Sequence, residues 1–189
     1  MEHPASPDDT DARLARRLAD LRRGRGWSLE DLAQASGVSR ATLSRLERGE
    51  VSPTASVLGR LCAAFGVTMS QVLAQVEGQA AALVPAAAQP VWVDPQTGLR
   101  RRSVSPPTAG LAGELVEVRL PAGARVDYPG PPRTGLEHHL WLLEGRLDLT
   151  IEGERHRLAA GDCLRYRLFG PNSFEAPGPD AARYLIAIV

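Results

Sequence analysis

Two groups of residues in this chain of 189 have types and spacing that could do chemistry. Between Ser39 and Gly49 run Arg40, Ala41, Thr42, Ser44 and Arg45, interleaved with Leu43 and Leu46 at a helix's apolar spacing. Short or basic side chains on the outward positions of such a helix suit it to lie in the major groove of DNA, where guanidinium groups reach base edges. The second group lies downstream: His138 and His139, adjacent in an apolar run, then Arg165, Arg167 and Asn172. Successive side chains of a strand point to opposite faces. His138 would therefore share a face with Leu140 and Leu142, and His139 with Trp141 and Leu143, so the two cannot bind one metal ion from the same side. Either one is a hydrogen-bonded core histidine and the other a surface one, or His138 lines an effector pocket together with Asn172 and Arg167. A charged Arg165 or Arg167 must be solvated, paired or bound to an anion, because an unpaired buried charge is costly. At least one of them is expected at the surface.

The elements that must position these residues fall into two halves. Up to residue 76 the apolar residues follow a helical period: Leu14, Leu18 and Leu21, then Leu58, Leu61, Cys62 and Phe65, then Met69, Val72, Leu73 and Val76. Ser28 can cap a helix with Asp31 as its capping-box partner, Ser39 can cap the next, and Gly49 suits the position past its end. Ser52 before Pro53 reads as a further helix start. The spacing predicts five helices, at about 11–23, 29–35, 40–48, 53–65 and 69–76. Small Ala33 lets two of them cross closely, Gly37 suits a left-handed inter-helix turn, and Leu32, Val38, Leu43 and Leu46 pack that turn.

Residues 78–90 are Ala-rich with Pro85 and Pro90 and read as a linker. Beyond them, short apolar and β-branched runs (Leu115–Leu120, Leu140–Leu143, Leu147–Ile151, Tyr184–Val189) alternate with Gly and Pro turns. That pattern predicts a β-sandwich or barrel, with residues 91–109 adding preceding strands.

Composition bounds the function classes. The formal net charge is zero, yet residues 12–76 carry ten Arg against five carboxylates, a local +5; a basic segment in a neutral chain fits a polyanionic partner. Every basic residue is Arg. Cys62 and Cys163 stand far apart without a CxxC pair, which argues against a disulfide framework or zinc ribbon and fits a reducing cytoplasm. No apolar run approaches the roughly 18 residues of a membrane span, and the polar, acidic stretch 1–10 is not read as a secretory signal.

The segment Ser28–Glu47 followed by Arg48-Gly49 carries the pattern L-A-x-x-S-G-V-S-x-x-T-L-S-x-L-E-x-G. Residues 13–76 thereby resemble the five-helix DNA-binding domain of the phage repressor/Cro, or xenobiotic-response-element, family. The resemblance implies that Arg40, Ala41 and Arg45 face base edges, with Ser39 and Ser44 on the same reading helix. It implies further that Ser28, Leu29 and Thr42 meet phosphates, and that Arg22 and Glu47 form a partly buried ion pair. Leu29 stands where the family often has Gln.

Leu140-Trp-Leu-Leu-Glu-Gly145, Gly153, Leu158-Ala-Ala-Gly-Asp162, Pro171 and Phe174 resemble the cupin family, a double-stranded β-helix barrel. Metal-binding cupins use two His, a Glu and a further His. In the corresponding positions this chain has residues 131–134 (Pro-Pro-Arg-Thr), His138 and Asn172, so no metal and no cofactor is expected. Together the resemblances imply an α-plus-β architecture: a helix-turn-helix domain at 11–77, a linker at 78–90 and a cupin barrel for sensing and dimerisation at 91–189. The implied function is a homodimeric, cytoplasmic transcriptional regulator, most often a repressor in such architectures. Its partners would be an inverted-repeat operator in double-stranded DNA and a small-molecule effector, with no membrane and no catalytic activity. The alternatives are a cupin enzyme with a fused regulatory domain, or a DNA-binding protein whose barrel only dimerises.

Overall fold

The computed structural model describes residues 7–73, 82–108 and 111–189. Five helices come first: α1 (Pro7–Gly24), α2 (Leu29–Ser36), α3 (Arg40–Glu47), α4 (Ala55–Phe65) and α5 (Met69–Leu73). Local signals fix most of their ends. Ser28 and Asp31 form the reciprocal capping box of α2, Ser39 accepts from the Thr42 N–H at the start of α3, and Gly37 closes α2 in the left-handed conformation at φ 66°. The start of α4 differs from expectation. Thr54, not Ser52, is the N-cap and accepts from the Val57 N–H, while Pro53 is buried just outside the helix. Residues 74–76 of the expected last helix, residue 77, and 78–81 of the linker lie outside the described residues; 82–90 is irregular apart from a 3₁₀ turn at Ala86–Ala88.

Ten strands follow: β1 (Val91–Val93), β2 (Arg100–Ser105), β3 (Glu114–Leu120), β4 (Arg125–Tyr128), β5 (Leu136–Glu144), β6 (Arg146–Ile151), β7 (Glu154–Ala159), β8 (Cys163–Leu168), β9 (Asn172–Glu175) and β10 (Ala182–Ile188). They form two antiparallel sheets, ordered β1-β2-β3-β10-β5-β8 and β4-β9-β6-β7. With β1 and β2 as an extension, the other eight strands have the order of a double-sheet jelly roll, the architecture of cupins. Gly145, at φ 78° between β5 and β6, sits so close to the Ala181 carbonyl that no Cβ would fit.

Strand parity decides which side chains enter the barrel. Along β5, Leu136, His138, Leu140 and Leu142 are buried, while Trp141 on the alternate face is exposed. Phe174 stacks on Tyr184 across the two sheets at 5.9 Å, and Tyr128 meets Phe174 edge-on.

The helical and β halves share one continuous hydrophobic cluster, from Leu14 and Phe65 through to Ile188. Helix α4 lies against β4 at Gly59, where a Cβ would come within 2.7 Å of the Tyr128 ring. A mid-helix glycine costs roughly 1 kcal/mol relative to alanine; here it lets the helix backbone reach an aromatic side chain of the barrel. The Asp94 carboxylate accepts from the Ala55 N–H at 2.9 Å, and the Thr68 hydroxyl donates to Glu114 Oε1 at 2.8 Å.

Candidate nucleic-acid interface and interdomain cavity

Helix α3 turns Leu43 and Leu46 into the core, at 1% and 2% exposure, and leaves Arg40, Ala41 and Arg45 exposed on the opposite side. Its start is rigid: Ser39 Oγ accepts from the Thr42 N–H at 3.2 Å and lies 2.8 Å from Thr42 Oγ1. The Gly37 N–H donates to the Ala33 carbonyl at 2.9 Å, which holds the sharp turn between α2 and α3. Behind the reading helix, Arg22 forms a bidentate pair with Glu47 at 2.6 and 2.7 Å and also donates to the Trp27 carbonyl at 2.8 Å. The pair keeps about one eighth of each side chain exposed and joins α1 to the end of α3, the arrangement that the family resemblance implies.

The charges on the exposed face are not all free to meet DNA. Arg48 donates to Glu50 at 2.6 Å and to Ser44 Oγ at 2.5 Å, and Arg45 lies 3.8 Å from Glu50. Arg40 has no ion pair among the described residues. At the start of α2, the Asp31 carboxylate accepts from both the Ser28 N–H and its hydroxyl at 2.8 Å, and those bonds hold its pKa below the usual carboxylate range. A phosphate approaching Ser28 would meet that carboxylate, whereas Leu29 is half-buried beside it.

The second site is a cavity of about 100 Å³ at the mouth of the barrel. Its floor is built from inward residues of the sheets, among them Leu136, His138, Asn172 and Phe174, and its roof from Gly59 and Cys62 of α4, Met69 of α5 and Thr68 just before it. His138 Nδ1 is 3.1 Å from the Tyr166 hydroxyl, and its Nε2 is buried without a partner among the described residues. Burial, reinforced by the nearby Arg101 cation, pushes the His138 pKa down to about 4, so the imidazole is neutral near pH 7. Burial also pushes the Cys62 thiol up to about 12, which leaves it an inert apolar wall.

Of the three residues expected in an effector pocket, His138 and Asn172 line the cavity and Arg167 does not. Arg167 pairs across the ladder with Glu137 and forms an exposed ion pair with it at 3.0 Å. Parity explains the correction: Arg167 shares the outer face of the sheet with Glu137 and His139. The pocket arginine is Arg101 instead. It was hidden in the run Arg100-Arg-Arg102, yet buried Leu99 and Ser103 on either side mark its parity as inward. A second signal lay in Gly59, since an isolated glycine in a helical pattern points to close packing.

Among the described residues no three His, Cys, Asp or Glu side chains converge as a metal site. His139 pairs with Glu137 on the outer face, and His156 lies on β7 near Glu154. No described helix is long and apolar enough to cross a membrane.

Comparison with known proteins agrees with both halves. The Helix-turn-helix family model HTH_3 matches residues 18–72. The HTH-type transcriptional regulator SutR of Escherichia coli (strain K12) is 32% identical over 154 residues, spanning 81% of each chain. The HTH-type transcriptional regulator PuuR of the same organism is 25% identical over 91% of this chain and 92% of its own. Among solved structures, an HTH_3 family transcriptional regulator from Vibrio cholerae superposes with a TM-score of 0.80 at 23% identity, over 97% of this chain and 98% of that one. The jelly roll behind the helices completes the architecture, and the chain belongs to the HTH-type transcriptional regulators, a helix-turn-helix DNA-binding domain followed by a jelly-roll barrel.

Proposed function

We propose that this regulator is a cytoplasmic homodimer that reads an inverted-repeat operator and answers to a small-molecule effector held in the interdomain cavity. The observation that carries the reading is the shared wall of that cavity: His138 and Asn172 come from the barrel, Thr68 and Met69 from the DNA-binding domain. A ligand can shift an equilibrium only by its differential affinity for the two states. A cavity between the domains supplies such a difference, because its shape depends on how α4 and α5 sit on the barrel. Each helix α3 would read one half-site, with Arg40, Ala41 and Arg45 toward base edges, Ser39 and Ser44 beside them, and Thr42 with the start of α2 (Ser28, Leu29) toward phosphates. Two-fold symmetry of the protein would match that of the site. Repression follows most simply, since a dimer seated on a promoter excludes other proteins. In this reading the barrel has no catalytic role.

The test is a thermal-shift screen of metabolites on the full chain, followed by operator binding with each hit. A compound that raises Tm and also changes operator affinity, with both effects lost in His138→Phe, supports the reading. Effects that survive that substitution would move the effector elsewhere.

A further inference from the structure

The cavity contains an electrostatic imbalance. Arg101 projects from β2 between the domains, and its guanidinium donates to the Ser70 hydroxyl of α5 at 2.7 Å. Its Nε is shut off from solvent without a partner, and no carboxylate lies within ion-pair distance of it among the described residues. Burial pulls its pKa below the ordinary arginine value. A half-buried cation hydrogen-bonded only to a neutral hydroxyl is under-paired. Glu114 acts on Arg101 through space; its Oε1 accepts from Thr68 and its Oε2 is buried without a partner among the described residues, and the residue does not line the cavity. A second orphan belongs to His138, which lines the same cavity and whose Nε2 is buried without a partner among the described residues. Arg Nε is only ever a donor, and a neutral histidine whose Nδ1 accepts from the Tyr166 hydroxyl carries its proton on Nε2. Both residues line the same cavity, and each then carries an N–H without a partner.

We propose that the cavity takes a small monocarboxylic acid, its carboxylate on Arg101 and His138 and its apolar body against Leu136, Phe174, Ile186 and Met69. This rests on the reading of the cavity as an effector site and adds the effector's chemical class. Size sets an upper bound. A cavity of 150 Å³ holds benzene, so about 100 Å³ suits an acid of roughly five to seven heavy atoms. A phosphate fits poorly, because a hydrated dianion needs more donors than these two and gains nothing from apolar walls. The carboxylate would also lie beside Ser70, so binding bears on the contact through which Arg101 holds α5.

The experiment titrates the full chain with isobutyrate, butyrate and valerate, with valeramide and pentylamine as neutral and cationic counterparts, and with inorganic phosphate. Affinity is read by calorimetry and the site by the His138 imidazole NMR resonance. At least one carboxylate is expected to shift that resonance and to bind tenfold or more tighter than its amide, amine or phosphate counterpart. Arg101→Gln should remove that preference. Should the variant fail to fold, the carboxylate-over-amide ratio in the unsubstituted chain decides. Equal or tighter binding of the amide or amine, with the same shift of His138, overturns the acid assignment and leaves the effector site standing. No perturbation of His138 by any member overturns both.

Discussion

The Asp94 carboxylate of the barrel accepts a hydrogen bond from the Ala55 N–H at 2.9 Å, at the first turn of α4 in the DNA-binding domain. Helix N-termini carry unsatisfied N–H groups and a partial positive charge, so a buried carboxylate there answers both needs. Thr54 covers the Val57 N–H of the same turn, and the second oxygen of Asp94 accepts from the Thr97 N–H at 2.9 Å. One side chain thus ties the turn that follows β1 to a helix of the other domain.

Asp94→Ala would leave those donors buried and unanswered. A loss of about 2–3 kcal/mol is expected, at the cost of stranding buried N–H groups next to a charged acceptor's former place. Calorimetry should resolve two transitions where the unsubstituted chain gives one. A single transition at unchanged Tm would show that the domains are coupled by other contacts, with Gly59 against Tyr128 the first to examine by Gly59→Ala.

Glu47 and Glu50 are close in sequence and differ in surroundings. Glu47 meets Arg22 bidentately with little exposure, whereas Glu50 pairs Arg48 on an open surface. Glu47→Ala strands a partly buried guanidinium and should cost about 2–3 kcal/mol, less than a fully buried pair because the edges touch water. Glu50→Ala should leave Tm nearly unchanged. Equal melting temperatures for the two variants would remove the ion pair as the brace behind the reading helix.

The sequence carried most of the helical domain because its signals are local. Ser28 with Asp31, Ser39 and Gly37 each act within four residues, and the structure has them in the expected roles. The two faces of β5 were equally legible, since parity alone separates His138 from His139. Arg167 was misassigned for want of a register: only pairing with Glu137 shows which face it joins. Arg101, Asp94 and the roof of the cavity depend on how two domains meet, and nothing within a few residues of them encodes that contact. The exception is Gly59, whose missing side chain anticipates a neighbour without saying which.

Operator binding should fall steeply with salt, because phosphate contacts release counterions. Arg40→Ala or Arg45→Ala should each weaken the preferred operator by about 1–3 kcal/mol and relax discrimination at one base pair. Arg45 must also leave Glu50 to reach a base, so Glu50→Gln should strengthen binding slightly and lower the salt dependence of discrimination little. Unchanged affinity of both arginine variants for specific and random duplexes would reassign the reading surface.

His138 makes stability depend on pH in a defined window. Its folded pKa is held near 4 by burial, while an unfolded chain has the ordinary value of about 6.5. Below about pH 6.5 the unfolded state binds a proton that the folded state refuses, so stability is full above that pH and declines as pH falls toward 4. The difference between about 6.5 unfolded and about 4 folded corresponds to about 3 kcal/mol once both values are passed. Carboxylates held low by ion pairs, Glu117, Glu137 and Glu144 among them, withdraw their own contributions only below about pH 4.5. The two effects therefore separate in the interval from pH 6.5 to 4.5. Urea unfolding across that interval should give a slope that is largely absent in His138→Gln, which keeps a hydrogen-bonding side chain without a titrating ring. Parallel curves for the two proteins would mean that His138 takes up its proton without loss of structure, and that the cavity is open to water.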